Sequence, residues 1–279
     1  MRAAALLFAV GLLATACAGR VAFENLTPGA PVRIAGTLTR PSGPGPFPAV
    51  VILHGCHGVS AQLHRWARAL NDLGYVSLVV DSFGPRRLSK DCAPEAPDDL
   101  PITARFEDTL GALRFLQAQP YVRGDRVGAL GFSQGGVLAI AAINGPSLER
   151  ARQRGVQLPE PGFAAGVGVY PGGCFSLVRE RVIRPLLVLI GSADDWINPA
   201  ECAEMVARMR ERGADASFVV LPGARHYFDI EGQPTVVLPT VGNRNRPGGC
   251  CGATIGYDAA AAAEARRHIA EFFSRHLSP

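Results

Sequence analysis

The chain is poor in the features that mark several large classes of protein. It carries no internal repeat, which excludes solenoids and propellers. It has no dense basic block, and a formal net charge of +4 over 279 residues leaves no electrostatic footprint for nucleic acid. No second pair of cysteines or histidines falls at zinc-ligand spacing, and no apolar run is long enough to cross a bilayer. No Pro/Gly-rich linker separates two apolar regions either, so residues 21–279 are expected to form one domain. What remains is a globular composition, 48% hydrophobic and 19% charged, with enough chain to bury a sizeable core.

The first residues predict export. Arg2 supplies a positive start, Ala3 to Leu13 a short apolar run, and Ala14-Thr15-Ala16 a small-residue cleavage site, so residues 1–16 read as a signal peptide of a secreted or periplasmic protein. The mature chain would begin near Cys17. A cysteine there also fits the acylated cysteine of bacterial lipoproteins, which would be the chain's one route to a membrane. Beyond Cys17 the cysteines are Cys56, Cys92, Cys174, Cys202, Cys250 and Cys251, an even number that predicts disulfides in an oxidising compartment. The pairing Cys174 with Cys202 is expected beside adjacent strand ends, and Cys56 with Cys92 is a second expectation. Cys250 and Cys251, as neighbours, are expected to reach elsewhere or to leave one thiol free.

Along the chain, Val32 to Leu38 alternates like an edge strand, and Ala49-Val50-Val51-Ile52-Leu53 is an apolar run suited to a strand buried on both faces. Leu63, Trp66, Leu70 and Leu73 fall at helical spacing behind a capping Ser60. Tyr75 to Val80 is the next strand, Asp81 to Leu100 a long loop, and Phe106, Leu110 and Leu113 mark a helix. Further strands are expected at Asp125 to Ala129, Phe163 to Val169, Leu186 to Ile190 and, last, Ser217 to Leu221. Thr240 to Gly252 reads as irregular, and Ala265, Ile269, Phe272 and Phe273 stripe a closing helix. Strands alternating with helices predict an α/β fold with a mostly parallel central sheet and helices on both faces.

The stretch Gly131-Phe132-Ser133-Gln134-Gly135 lies between a strand and a helix, the context of a nucleophile elbow. A Cβ at Gly131 or Gly135 would clash across so sharp a turn. A serine hydroxyl needs a base to take its proton and a carboxylate to orient that base, in the order Ser, Asp or Glu, His for this kind of fold. Asp194 and His226 follow strand ends at the sheet edge where catalytic groups gather, with Asp195 as the competing acid. Oxyanion donors are expected from the N–H of Gln134 and of Cys56, with Gly55 as the alternative to Cys56. A metal site of His54, Cys56 and His57 is the competing reading of that loop. Arg86 and Arg87 are candidates to hold a substrate carboxylate, with a local salt bridge as the structural alternative.

Five motifs in order, His54-Gly55-Cys56, Asp81-Ser82-Phe83-Gly84-Pro85-Arg86, Gly131 to Gly136, Gly191 to Trp196, and Pro222 to Asp229, resemble the dienelactone hydrolase family of the α/β-hydrolase fold from about Val32 to Phe273. The resemblance implies hydrolysis of a small carboxylic ester or lactone through an acyl-enzyme, with Ser133 as nucleophile, Asp194 as acid and His226 as base, and no cofactor. The family's namesakes use cysteine where this chain has Ser133, which points to a general esterase, and the export signal and cysteines fit an exported branch of the family. Peptide or amide hydrolysis by the same triad is one alternative, and a non-catalytic envelope binding protein on the same fold is another.

Overall fold

The computed structural model describes residues 17–88, 92, 100–177 and 180–278. The expected signal peptide, and most of the loop between Asp81 and Leu100, lie outside them. The chain opens with β1 (Cys17–Glu24), β2 (Arg33–Arg40), β3 (Phe47–Leu53), α1 (Ala61–Asp72) and β4 (Val76–Asp81), then α2 (Ile102–Gln117), β5 (Val122–Phe132) and α3 (Gln134–Ala141). It continues through α4 (Gly145–Gln153), β6 (Ala165–Val169), α5 (Cys174–Leu177), β7 (Leu186–Gly191), α6 (Pro199–Glu211) and β8 (Ala216–Leu221). The last elements are β9 (Val236–Leu238), β10 (Ala253–Ile255) and α7 (Ala259–Leu277).

Eight strands form one sheet in the order β1-β2-β4-β3-β5-β6-β7-β8. Every pairing from β4 to β8 is parallel, and only β1 with β2 and β2 with β4 run antiparallel. In the middle strand β5, every residue from Val127 to Phe132 is buried. Successive side chains point to opposite faces, so burial of both parities means both faces are covered. Gly128 is pressed against Phe273 and Leu277 of α7, while Gly131, of opposite parity, is pressed against the Gly135 backbone of α3.

Three elements depart from expectation. Residues 17–24, for which no strand was expected, form strand β1, which lies along β2 from Cys17 opposite Arg40 to Glu24 opposite Arg33. The strand ending at Leu221 is not the last, because β9 and β10 pair antiparallel on either side of the irregular segment and make a small lobe of it. Ser60 occupies the N-cap of α1, but its hydroxyl accepts no helix N–H and points to the Gln62 side chain instead.

Cys174 pairs with Cys202, joining α5 to α6 with Cα atoms 4.9 Å apart, and Cys56 pairs with Cys92 at 5.2 Å. Cys250 and Cys251 are bonded to each other, contrary to the expectation for neighbours, while Cys56, Cys92, Cys174 and Cys202 are taken in the other two pairs. Among the described residues no helix is long and apolar enough to cross a membrane.

Candidate active site

The parallel strands end at one edge of the sheet, and the turns leaving β3, β5, β6, β7 and β8 bring their residues together there. The turn after β5 is strained. Ser133 sits at φ 54°, ψ −118°, a conformation that costs an L-residue of order 1–3 kcal/mol and has to be imposed by its surroundings. The imposition is visible in the glycines. A Cβ on Gly131 would fall on the Gly135 carbonyl, and one on Gly135 would fall on the Leu53 carbonyl of β3. The Ser133 N–H is fixed by the Val169 carbonyl at 3.0 Å, and its carbonyl accepts from Gly136 and Gly172.

From that turn a line of hydrogen bonds runs through three buried side chains. The Ser133 hydroxyl oxygen is 3.3 Å from Nε2 of His226, and Nδ1 of His226 is 2.8 Å from Oδ2 of Asp194. The other carboxylate oxygen of Asp194 accepts the N–H groups of Trp196 and Ile197 at 3.0 and 2.9 Å. The carboxylate is therefore satisfied on both oxygens and held in one rotamer, facing the imidazole. Such a line can draw the hydroxyl proton onto Nε2 while Asp194 orients the ring and balances the charge that forms.

The imidazole is also boxed by rings. Tyr170 lies 4.4 Å from it between centroids, Trp196 4.8 Å and Tyr227 4.8 Å. Tyr170 is held from behind by a second buried carboxylate. Its hydroxyl donates to Oδ1 of Asp229 at 2.6 Å, while Trp66 donates to Oδ2 at 2.7 Å and Gln62 to the same oxygen. Burial, reinforced by the Asp229 carboxylate, pushes the Tyr170 phenol well above its usual range and raises that of Tyr227. Both hydroxyls thus keep their protons. The Tyr227 hydroxyl is hydrogen-bonded to Nδ1 of His57.

The N–H of Gln134 opens α3 and has no intrahelical acceptor, as at any helix start. Among the described residues neither that group nor the N–H of Cys56 is taken by another protein atom. Gly55 lies against Ser133, where an added Cβ would stand 3.2 Å from the serine Cβ, so the loop after β3 approaches the hydroxyl closely. A cleft of about 300 Å³ opens over Ser133, lined among others by His57, Leu63, Tyr227, Leu238 and Ile255.

Other candidate residues do not converge on this point. The Arg86 guanidinium makes a bidentate pair with Asp108 at 2.7 and 2.8 Å and also donates to the Ser82 carbonyl, so its fork is occupied by the protein. Arg87 is exposed beside it. His54 is not drawn into a cluster with Cys56 and His57: its Nε2 accepts the Ser82 N–H at 3.3 Å, and its Nδ1 lies 2.6 Å from the Gly55 carbonyl and 3.1 Å from Nη2 of Arg105. The group that does draw together is Cys56, His57 and Cys92, within 4.8 Å, with both sulfurs engaged in the disulfide. Asp195 points away from the imidazole to Arg246 and Thr254. Sequence reasoning missed Tyr170, Asp229 and Gln62. Only two carried a signal: Tyr170 directly follows a strand, and Asp229 stands three residues after His226.

The model of the dienelactone hydrolase family matches residues 34–277. A Bradyrhizobium sp protein named "Probable 2-oxo-3-(5-oxofuran-2-ylidene)propanoate lactonase" is 29% identical over 198 residues, 68% of this chain and 77% of its own length. Human acyl-coenzyme A thioesterase 1 is 31% identical over 232 residues, 71% of this chain and 52% of that protein. Among solved structures, a dienelactone hydrolase from Anabaena variabilis superposes with a TM-score of 0.62 at 18% identity, covering 93% of this chain and 99% of that one. At that identity the likeness speaks for the fold alone. The family match spans almost all of the described residues and includes every turn that meets at the sheet edge. The chain belongs to the dienelactone hydrolase family, as a hydrolase of ester bonds on an α/β-hydrolase fold.

Proposed function

We propose that the protein is a serine hydrolase that cleaves a small carboxylic ester or lactone through an acyl-enzyme at Ser133. The observation that carries this reading is the unbroken line Ser133–His226–Asp194 at the end of the strained β5 turn. In the first half-reaction Ser133 Oγ attacks the carbonyl carbon and His226 Nε2 takes the hydroxyl proton. The tetrahedral oxyanion is received by the N–H groups of Gln134 and Cys56. On collapse, the carbon–oxygen bond to the leaving group breaks and His226 returns the proton to the departing alkoxide. Water, deprotonated by the same imidazole, then attacks the acyl-serine and regenerates the hydroxyl. For a lactone, alcohol and acid remain one molecule.

The lactonase named above, acting on a small cyclic ester, and a cleft of about 300 Å³ over Ser133 support a small substrate. Export fits the six cysteines after Cys17, all of them in disulfides, as expected for an oxidising compartment. The deciding experiment is labelling of the purified protein with a fluorophosphonate, followed by peptide mapping, in wild type and in His226→Ala. Modification at Ser133 that is lost in the variant is the expected result. An unlabelled, folded wild type refutes the reading.

A further inference from the structure

Arg105 lies in α2, outside every motif discussed above, and is only 2% exposed. Its two terminal nitrogens go to two different segments of chain. Nη1 donates to the side-chain oxygen of Gln134 at 2.8 Å, and Nη2 donates to the backbone carbonyl of His54 at 2.5 Å. The guanidinium carbon is 5.1 Å from the centroid of the Phe83 ring. Gln134 follows Ser133 at the head of α3, and His54 precedes Gly55 and Cys56 at the end of β3. These are the two segments whose N–H groups meet the oxyanion in the proposed mechanism.

We infer that Arg105 is a positioning residue for the oxyanion hole, a buried cation that ties its two halves together. The inference rests on the serine-hydrolase reading and deepens it. Three physical arguments support it. A guanidinium taken out of water carries a large desolvation cost, so simple attachment of α2 to the sheet would be served better by an apolar side chain. A planar fork can bridge two acceptors at fixed separation, which the single ammonium of lysine cannot do with the same geometry. A fixed positive charge one hydrogen bond from each donor segment also favours the oxyanion over the neutral carbonyl, because the surroundings exclude water. The contribution therefore belongs to the transition state and not to the bound ester.

The test is steady-state hydrolysis of a neutral short-chain ester by Arg105→Lys, Arg105→Met, Gln134→Ala and the Arg105→Lys/Gln134→Ala pair. Inhibition by a trifluoromethyl ketone, which forms a tetrahedral oxyanion on the serine, is measured alongside. The expected result is a fall in kcat of about 10- to 100-fold for the arginine variants with KM within about threefold, and inhibitor affinity falling in step with kcat/KM. Gln134→Ala should lose less, and the pair should lose no more than Arg105→Lys alone, as expected for residues acting through one contact. A merely structural arginine would change thermal stability while leaving the ratio of inhibitor affinity to KM untouched.

Arginine variants with kcat within twofold of wild type, or with undiminished ketone affinity, overturn the inference. Should they not fold, Gln134→Ala decides it, since this variant keeps the buried charge and removes only the tie; unchanged kcat and ketone affinity there overturn it equally. Wild type that is labelled at Ser133 while these variants keep full activity refutes the role of Arg105 alone. Wild type that is not labelled refutes the serine mechanism and this inference with it.

Discussion

Asp194 and Asp195 are consecutive residues of one turn, yet they serve two different regions of the molecule. The Asp194 side chain is fully buried, faces the imidazole of His226 and accepts two backbone N–H groups on its other oxygen. Asp195 is 33% exposed and faces the β9–β10 lobe, where it pairs with Arg246 at 2.6 Å and accepts from the N–H and hydroxyl of Thr254 at 2.7 and 2.9 Å. The same chemical group thus holds the imidazole in one region and clamps the lobe in the other. The direction of the side chain out of the turn after β7 makes the difference.

The comparison predicts the largest effect at the inward-facing acid. Asp194→Asn should reduce kcat by about 10³- to 10⁴-fold with the fold intact, because the amide leaves the imidazole in the wrong tautomer and its positive charge unbalanced. Steady-state kinetics with circular dichroism check this, and a loss of less than tenfold would break the assignment of roles. An intermediate effect is expected at the third carboxylate of the region. Asp229→Asn presents an NH2 where Gln62, Trp66 or Tyr170 now donates, so we expect about 1–3 kcal/mol of lost stability in urea unfolding and a fall in kcat of about tenfold through the Tyr170 ring on His226. The smallest effect on turnover is expected at the outward-facing acid. Asp195→Asn should keep kcat within about threefold, since a partly exposed pair contributes little to stability. The same variant should make Thr240 to Gly252 cleave faster in limited proteolysis. Equal losses of kcat from Asp194→Asn and Asp195→Asn would remove the distinction altogether.

Much of this division is visible in the sequence, for reasons that can be named. The turns bearing Ser133, Asp194 and His226 follow apolar runs whose periodicity marks them as strands, and parallel strands deliver their ends to one edge. Local spacing could not separate Asp194 from Asp195 by partner, because the groups that claim Asp195 lie 51 and 59 residues further along the chain. The same limit hid Arg105, whose contacts are 29 and 51 residues away, and the pairing of Arg86 with Asp108. Strand β1 was illegible for a different reason. Cys17 to Glu24 contains Gly19, Arg20 and Glu24, carries only Val21 and Phe23 as large apolar residues, and lies paired along its length with β2. The vicinal pairing of Cys250 with Cys251 is not legible in spacing, because which cysteines meet is a property of the whole fold.

The lobe formed by β9 and β10 does more than receive Asp195. Ile255 forms a β-bridge with His226 itself, and the next residue, Gly256, donates its N–H to the His226 carbonyl at 3.1 Å. Leu238 and Ile255 of the same lobe line the cleft over Ser133. Part of the wall of the cleft over Ser133 and the backbone that carries the imidazole are therefore one spliced unit. An enzyme engineer who exchanges this lobe for a relative's would alter substrate range and turnover together. Evolution on this scaffold faces the same constraint: new specificities from this side of the cleft have to arise as compensated sets of changes.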